Sequence, residues 1–503
     1  MEFRAGRASG FAAFALLGTL AVAAVAPAQE AADLSRFRKA FQGNTPAADR
    51  MAAARGLLLV DTKPAAELLC KGLEDTFERL DALSRGRGEL RRRIAKVVEE
   101  RGDAKSLLNE EANLRYRDAE EWAIVSVLQR SLTALRDPHA LEYLAQAALR
   151  GSLAPAVRAR VAEALGGVGG EIIVRGLMQA VRDRNERVRE AALSALARTD
   201  PEKAMEALGA AIDDEAWTVR LSAARSLAAQ ASPGAVDLLL ARLPREDGRL
   251  RRDIAGLLRG LTGQKFGVEP EGWTHWWTEN REAYASGTST LRKPPFPPDP
   301  GEEKGGGGVS YYGITTYSRR ILFIVDISGS MNTPGIDPAK QKVDEAKAEL
   351  LRTVATLDKE SSFTILAFDD AVRIWRPTLV KADPKNREAA EKWVGDLWGA
   401  SWTNTFGALE EGFRLAAGNG MDAEYGGAAD TIFLLTDGAP TVLGGKLKDA
   451  QGVPETKRVL DAFREWNREN RVVVHTIGIG PSIDVGFLKT LAQESGGEYR
   501  RVQ

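Results

Sequence analysis

A valine-arginine pair recurs along this chain at a constant interval. Val157-Arg158, Val188-Arg189 and Val219-Arg220 stand 31 residues apart, and Leu250-Arg251 continues the series. The same small-residue pattern follows each pair: Val161-Ala162-x-Ala164-Leu165, Ala192-Leu193-x-Ala195-Leu196, Ala223-Ala224-x-Ser226-Leu227 and Ile254-Ala255-x-Leu257-Leu258. Asp183 and Asp214 recur just before their pairs. A fixed period in this range restricts the fold to a solenoid of helix pairs, because one unit cannot bury its apolar face without its neighbours. The alanines permit close helix approach. The Val-Arg pairs are expected to hold adjacent units in register as a structural ladder.

This array resembles the HEAT-type repeats in their short bacterial form, over residues 118–262, with a degenerate earlier copy near 126–135. The resemblance implies an all-α scaffold for protein contacts and no chemistry. Beyond it, Trp273, Trp276 and Trp277 share one helical face at i, i+3 and i+4. An aromatic face of this kind binds sugar or caps the last repeat, and the cap is the reading adopted. The solenoid with its cap is assigned to residues 118–286. Residues 29–117 are helical and highly charged. Within them, Glu89 to Arg117 reads as one long exposed helix or a helical hairpin, with no evident chemistry.

Residues 1–28 read as an export signal. Arg4 and Arg7 form a basic start, Phe11 to Val25 an apolar stretch, and Ala26-Pro27-Ala28 a small-x-small cleavage pattern that leaves Gln29 as the mature terminus. An uncleaved anchor is the competing reading, but the stretch is short for a span and ends in proline. No later segment is apolar for 18 residues, so no further membrane span is expected. The implied location is outside the cytoplasm: periplasmic, cell-surface or secreted. Cys70 is the single cysteine, so stability rests on core burial and not on an internal disulfide. The 69 Lys+Arg residues nearly cancel the 70 Asp+Glu, so no global field favours nucleic acid or anionic lipid.

Residues 287–310 form a linker, with Pro294-Pro295, Pro297-Pro298 and Pro300 followed by Gly305 to Gly308. Its composition predicts that the two folded parts can reorient. From residue 311 to 503, strand and helix signals alternate, which argues for an α/β doubly wound, Rossmann-like parallel sheet with helices on both faces. The expected strands include Ile321–Val325, Ser362–Phe368, Thr431–Leu435 and Arg471–Ile477, with Val372–Leu379 as an edge.

Asp326-Ile327-Ser328-Gly329-Ser330 leaves the first of these strands. Open α/β sheets place ligands at such strand ends. One carboxylate and two hydroxyls on a tight turn are hard oxygen ligands, the kind Mg2+ selects. Ser401-Trp402-Thr403-Asn404-Thr405 and Thr436-Asp437-Gly438 add oxygens from two further loops. This set resembles the von Willebrand factor A domain and its metal-ion-dependent adhesion site. The family pattern Asp-x-Ser-x-Ser, a lone Thr and an Asp matches Asp326, Ser328, Ser330, Thr403 and Asp437. Chain segments lengthened at Asn332 to Pro338 and Ala439 to Gly452 depart from the pattern and are expected to border the site.

The resemblance implies Mg2+ (or Mn2+) at these residues, with an open position completed by an Asp or Glu carboxylate of a protein ligand. It also implies that such binding is tied to a shift of the last helix, here Val485–Glu494. Trp402 and Asn404 are assigned to the ligand-binding rim. Trp398 and Trp402 are anchors if exposed and core if buried, Trp402 being the one expected at the surface. Asp369-Asp370 is read as a turn. The whole is thus expected to be an exported, non-enzymatic binding or adhesion protein, whose array offers a second protein-contact surface. The alternative is a metal-dependent hydrolase or phosphoryl-transfer enzyme using Asp326 as nucleophile. Against it, position 328 is Ser where a second Asp would stand, and the surroundings of Ser328 and Ser330 are not a Gly-x-Ser-x-Gly elbow.

Overall fold

The computed structural model describes residues 27–100, 103–294, 308–399, 401–416, 429–441, 446–448, 452–468 and 471–502. Residues 1–26 of the expected export signal, with Arg4, Arg7 and the stretch Phe11 to Val25, lie outside the described residues; Pro27 and Ala28 of its cleavage pattern open the first helix. The first described helix is Pro27–Ala40. No described helix is long and apolar enough to cross a membrane.

The N-terminal half is helical throughout. Two long antiparallel helices, Lys63–Glu99 and Lys105–Ala134, form a hairpin near its start. Of the two readings of the charged segment, the hairpin is therefore the one found. Helix pairs then stack at the predicted period: Pro155–Leu165 with Glu171–Ala180, Glu186–Thr199 with Pro201–Ala211, and Trp217–Gln230 with Pro233–Arg242. Val157, Val188, Val219 and Leu250 are all buried. The arginine of each of the first three Val-Arg pairs reaches across to the next unit. Arg158 forks onto Asp183 at 2.9 and 3.1 Å. Arg189 forks onto Asp214 at 2.7 and 2.9 Å, and Arg220 pairs with Glu246. A planar guanidinium meets a carboxylate at two points, which fixes orientation as well as distance and so sets the stacking register. Helix Pro270–Ala285 closes the array. Trp273 and Trp277 are buried on its inner face and donate to Gly267 O and Asp237 Oδ1 at 2.8 and 2.7 Å. Cys70 is buried, and burial pushes its thiol up to about 12, so it packs as an inert hydrophobe.

The C-terminal half begins with a small antiparallel ribbon, β1 (Val309–Tyr311) and β2 (Ile314–Thr316). The main sheet follows with β3 (Arg320–Asp326), β4 (Ser362–Phe368), β5 (Val372–Ile374), β6 (Val380–Lys381), β7 (Thr431–Thr436), β8 (Val473–Ile479) and β9 (Tyr499–Val502). Its order is β5-β4-β3-β7-β8-β9, with β6 also on β4. The pairs among β4, β3, β7, β8 and β9 are parallel, whereas β5 and β6 run antiparallel to β4. The sheet is therefore mixed, not wholly parallel. The turn at Asp369-Asp370-Ala371 is too short for a crossover, so the chain returns as an antiparallel edge.

Alternation along β3 assigns its two faces. Ile321, Phe323 and Val325 pack with helices Lys342–Thr356 and Pro384–Gly395. Leu322 and Ile324 pack with helices Thr405–Ala416, Glu455–Trp466 and Val485–Ser495. The chain leaves β3 toward β4 on one side and crosses to β7 on the other. The C-terminal ends of β3 and β7 thus meet at a topological switch point, where such sheets open a crevice.

The two halves are docked, contrary to the free reorientation read from the linker. Arg87 and Arg91 of the hairpin contact Glu410, and Arg91 also lies 3.4 Å from Glu411. Farther along, Arg160 pairs with Glu465 at 3.4 Å and Arg471 with Glu190. Linker composition sets chain stiffness but says nothing of charges that pair across some 300 residues of sequence.

Candidate metal centre

The site is built from three strand ends. Asp326 closes β3 with its carboxylate wholly buried. Its Oδ1 accepts the Ser328 N–H at 2.8 Å, and its Oδ2 accepts the Thr436 hydroxyl at 2.5 Å. This fastens the first turn to the end of β7. Ser328 Oγ lies 3.3 Å from Ser330 Oγ and 3.3 Å from Thr403 Oγ1. Ser330 donates to Asp437 Oδ1 at 2.6 Å. All five side chains predicted to hold a cation therefore form one connected cluster. Asp326, Ser328, Thr403 and Asp437 are buried, while Ser330 is exposed to solvent.

The second loop is pressed hard against the first. Gly329 N–H donates to Ser401 O at 2.9 Å, and Asn332 donates to Gly399 O at 2.8 Å. A Cβ at Gly399 would lie 1.9 Å from Ile327 O, so only glycine admits this approach. The third loop is tied in by Thr441, whose N–H donates to Thr403 O at 3.1 Å. The turn expected at Asp369-Asp370 is present, with Asp369 Oδ1 accepting the Ala371 N–H at 2.9 Å. Residues 442–445 and 449–451 of the lengthened third segment, and Ala400 of the second, lie outside the described residues.

Two features were not legible beforehand. Lys342, the first residue of its helix, places Nζ 2.8 Å from Asp437 Oδ2. It lies 95 positions from its partner, and no local pattern marks it. Asn404, expected beside Trp402 on the rim, turns inward instead. Its Oδ1 accepts the Gly407 N–H at 2.9 Å as a helix cap, and its Nδ2 donates to Asp370 O at 3.1 Å. Trp402 and Trp398 are both exposed, at 53% and 43%, so the two tryptophans are surface groups rather than core.

The electrostatics favour a cation. Burial, and then the charge of Asp437, push the Asp326 carboxyl up to about 7, against the opposing bonds from Thr436 and Ser328. Two carboxylates and the Lys342 ammonium leave one negative charge among hard oxygens. The donors gathered here are two carboxylates and three hydroxyls, all hard oxygens, as suits Mg2+ or Mn2+. The donor set fits the ion that the resemblance implies.

Residues 319–501 match the family model of the von Willebrand factor type A domain, and residues 174–259 match that of HEAT repeats. The C-terminal half thus carries a von Willebrand factor type A domain, and HEAT repeats precede it. Inter-alpha-trypsin inhibitor heavy chain H1 of Sus scrofa is 30% identical over 190 residues, which is 38% of this chain and 19% of the relative. Heavy chain H4 of Homo sapiens is 26% identical over 191 residues, again 38% and 19%. The chain thus spans about a fifth of the length of the curated relatives it matches. Among solved structures, a von Willebrand factor type A protein from Catenulispora acidiphila has 23% identity and a TM-score of 0.30, covering 38% of this chain and 40% of that one. Manganese-loaded TRAP protein of Plasmodium vivax has 18% identity and a TM-score of 0.26, covering 35% and 62%.

Proposed function

We propose that this is an exported, non-enzymatic binding or adhesion protein whose A domain recognises a partner carboxylate through a divalent cation. Asp326, Ser328, Ser330, Thr403 and Asp437 would hold the ion, Mg2+ or Mn2+. Bound there, it supplies an open electrophilic position. The observation that carries the reading is the unbroken contact of those five oxygen-bearing side chains at the switch point of the sheet. Lys342 sharpens it. With its ammonium counted, a divalent ion would bring the cluster from one negative to one positive charge, so an incoming Asp or Glu of a protein ligand is drawn by charge as well as by hardness. Trp402 and Trp398 would form the apolar rim against which that ligand packs. The HEAT-repeat array spaces the domain and offers a second protein-contact surface. The apolar N-terminal stretch supports export to the periplasm, the cell surface or the medium.

The phosphoryl-transfer alternative gains one observation, the Lys342–Asp437 pair beside Asp326. A histidine base is not at hand. His475 is buried in β8, stacked on Phe433 at 4.8 Å, and burial followed by the Arg249 charge lowers it to about 3. Calorimetry with Mg2+ and Mn2+ on wild type and Asp326→Ala separates the readings. Saturable binding in wild type that vanishes in the variant is the expected result. Phosphoester or ester turnover lost in the same variant would instead establish the enzyme, and absence of wild-type heat would remove the metal site altogether.

A further inference from the structure

The charged hairpin, to which the sequence assigns no chemistry, reaches the metal-bearing loops. Arg115, on its second helix, is buried. Its Nη1 lies 3.3 Å from Asn404 Oδ1 and 3.3 Å from Glu455 Oε1, and its guanidinium stands over the Phe406 ring at 5.2 Å. Asn404 directly follows Thr403, and Phe406 belongs to the first turn of the helix that Asn404 caps. Glu111, one helical turn back, faces the same guanidinium at 3.7 Å and Arg91 at 3.2 Å. Arg115 therefore grips the residue after a candidate ligand from a separate part of the chain.

A second support is independent of the first. The tip of the hairpin packs Leu90, Ile94 and Ala104 against Ala371. Ala371 ends the turn whose Asp369 O accepts the Asn404 N–H at 2.8 Å, and whose Asp370 carboxylate accepts the Ser401 hydroxyl. Loop 401–404 is thus braced on one side by an apolar tip and on the other by the Arg115 guanidinium, whose Nη1 is shared between Asn404 and Glu455. Buried ion pairs add little net stability but impose a specific arrangement, because either charge left alone in the interior is costly.

We infer that Arg115 is a positioning residue for the Thr403 loop, so that docking of the helical hairpin and occupation of the cation site are coupled. By linkage, whatever favours the docked hairpin tightens the cation, and the cation tightens the docking to the same degree. The lever is then the hairpin on helix Thr405–Ala416, separate from the last helix that the family resemblance pointed to. This inference rests on the proposed cation site.

The test uses the full chain and Mn2+ as probe. Calorimetry is run on wild type, Arg115→Met and Arg160→Met, the last of which breaks a contact between the halves remote from the loop. Hydrogen exchange of the segment 396–408 is followed in the same proteins without metal. Arg115→Met is expected to weaken Mn2+ by about fivefold or more and to speed exchange of that segment, with Arg160→Met unchanged in both. Arg115→Lys keeps the charge opposite Glu111 and Glu455 but loses the planar guanidinium over Phe406, and serves if the Met variant fails to fold. It is expected to weaken Mn2+ about threefold, as a point charge cannot hold two acceptors in a fixed plane. Wild-type affinity and wild-type exchange in the Arg115 variants, or equal effects in Arg160→Met, would overturn the inference and leave the cation site standing. No Mn2+ binding by wild type would overturn the cation site and the coupling with it.

Discussion

The array and the sheet domain use charge in opposite ways. In the array, each inter-repeat arginine meets a carboxylate of the next unit in a closed fork, as Arg189 meets Asp214. Charge there is matched residue by residue and serves packing. At the end of the sheet, Asp326 and Asp437 stand in one cluster with a single ammonium, that of Lys342 on Asp437, and Asp326 is held well above the ordinary carboxylate range. Matched charge marks architecture, and unmatched charge marks a place kept for something else. Stability should therefore respond with opposite signs when the two kinds of site are neutralised.

The largest effect is expected in the array. Arg189 also donates to Asp183 O and Arg184 O at 3.0 and 3.1 Å, so Arg189→Met strands one carboxylate and two carbonyls near the interior. A loss of about 3 kcal/mol is expected from an uncompensated buried charge and its broken bonds. Thermal unfolding followed by helical circular dichroism measures it. A loss under about 0.5 kcal/mol, the level of an exposed pair, would mean that the ladder is surface decoration and that the contrast drawn here fails.

A middle-sized effect is expected in the sheet itself. His475 accepts the Glu498 N–H through Nδ1 at 3.0 Å, which requires the neutral ring. Because its folded value is depressed to about 3, the fold binds fewer protons than the unfolded chain between pH 6.5 and 3. The contribution is therefore complete above 6.5 and is lost as pH falls through that window. It should be about 2 kcal/mol smaller at pH 5 than at pH 8. Asp326 acts in the opposite sense over part of this range. The histidine term is accordingly read as the difference between wild type and His475→Asn, which keeps an acceptor and cannot titrate. Parallel pH profiles for the two proteins would show that His475 charges without cost.

The same contrast explains what the sequence made legible. Where a feature is local, it could be read. Asp326, Ser328 and Ser330 lie within five residues behind an apolar strand, and the Val-Arg pairs repeat at a fixed interval. The ladder needed only the recurrence of Asp183 and Asp214. Contacts that pair distant segments left no mark. Lys342 reaches Asp437, Arg115 reaches Glu455, and Arg91 reaches Glu410, each across a span in which any acidic or basic residue would have served equally well on paper. The inward turn of Asn404 was hidden for a related reason. Its neighbour Trp402 is exposed, and only the placement of helix Thr405–Ala416 decides that Asn404 must cap it.

The smallest expected effect is the one that tests the comparison most sharply, because its sign differs from that of the array. Above pH 7 and without metal, an ionised Asp326 sits in the interior facing Asp437. Asp326→Asn removes that charge and changes little in shape: its Oδ1 still accepts the Ser328 N–H, while its Nδ2 takes the place of Oδ2 and donates to the Thr436 hydroxyl, which turns to accept. In chelator at pH 8 it should raise stability by about 1 kcal/mol, discounted from the full shift because the amide must satisfy its own donors. The gain should shrink as pH falls from 7 toward the ordinary carboxylate value of 3.8 and vanish about one unit below it, where the wild-type carboxyl is protonated in both states. Saturating Mg2+ should reverse the order, since wild type gains the binding energy of the ion and the variant does not. A variant less stable than wild type in chelator at pH 8 would mean that Asp326 is fully satisfied without a cation, and that the sheet domain handles charge just as the array does.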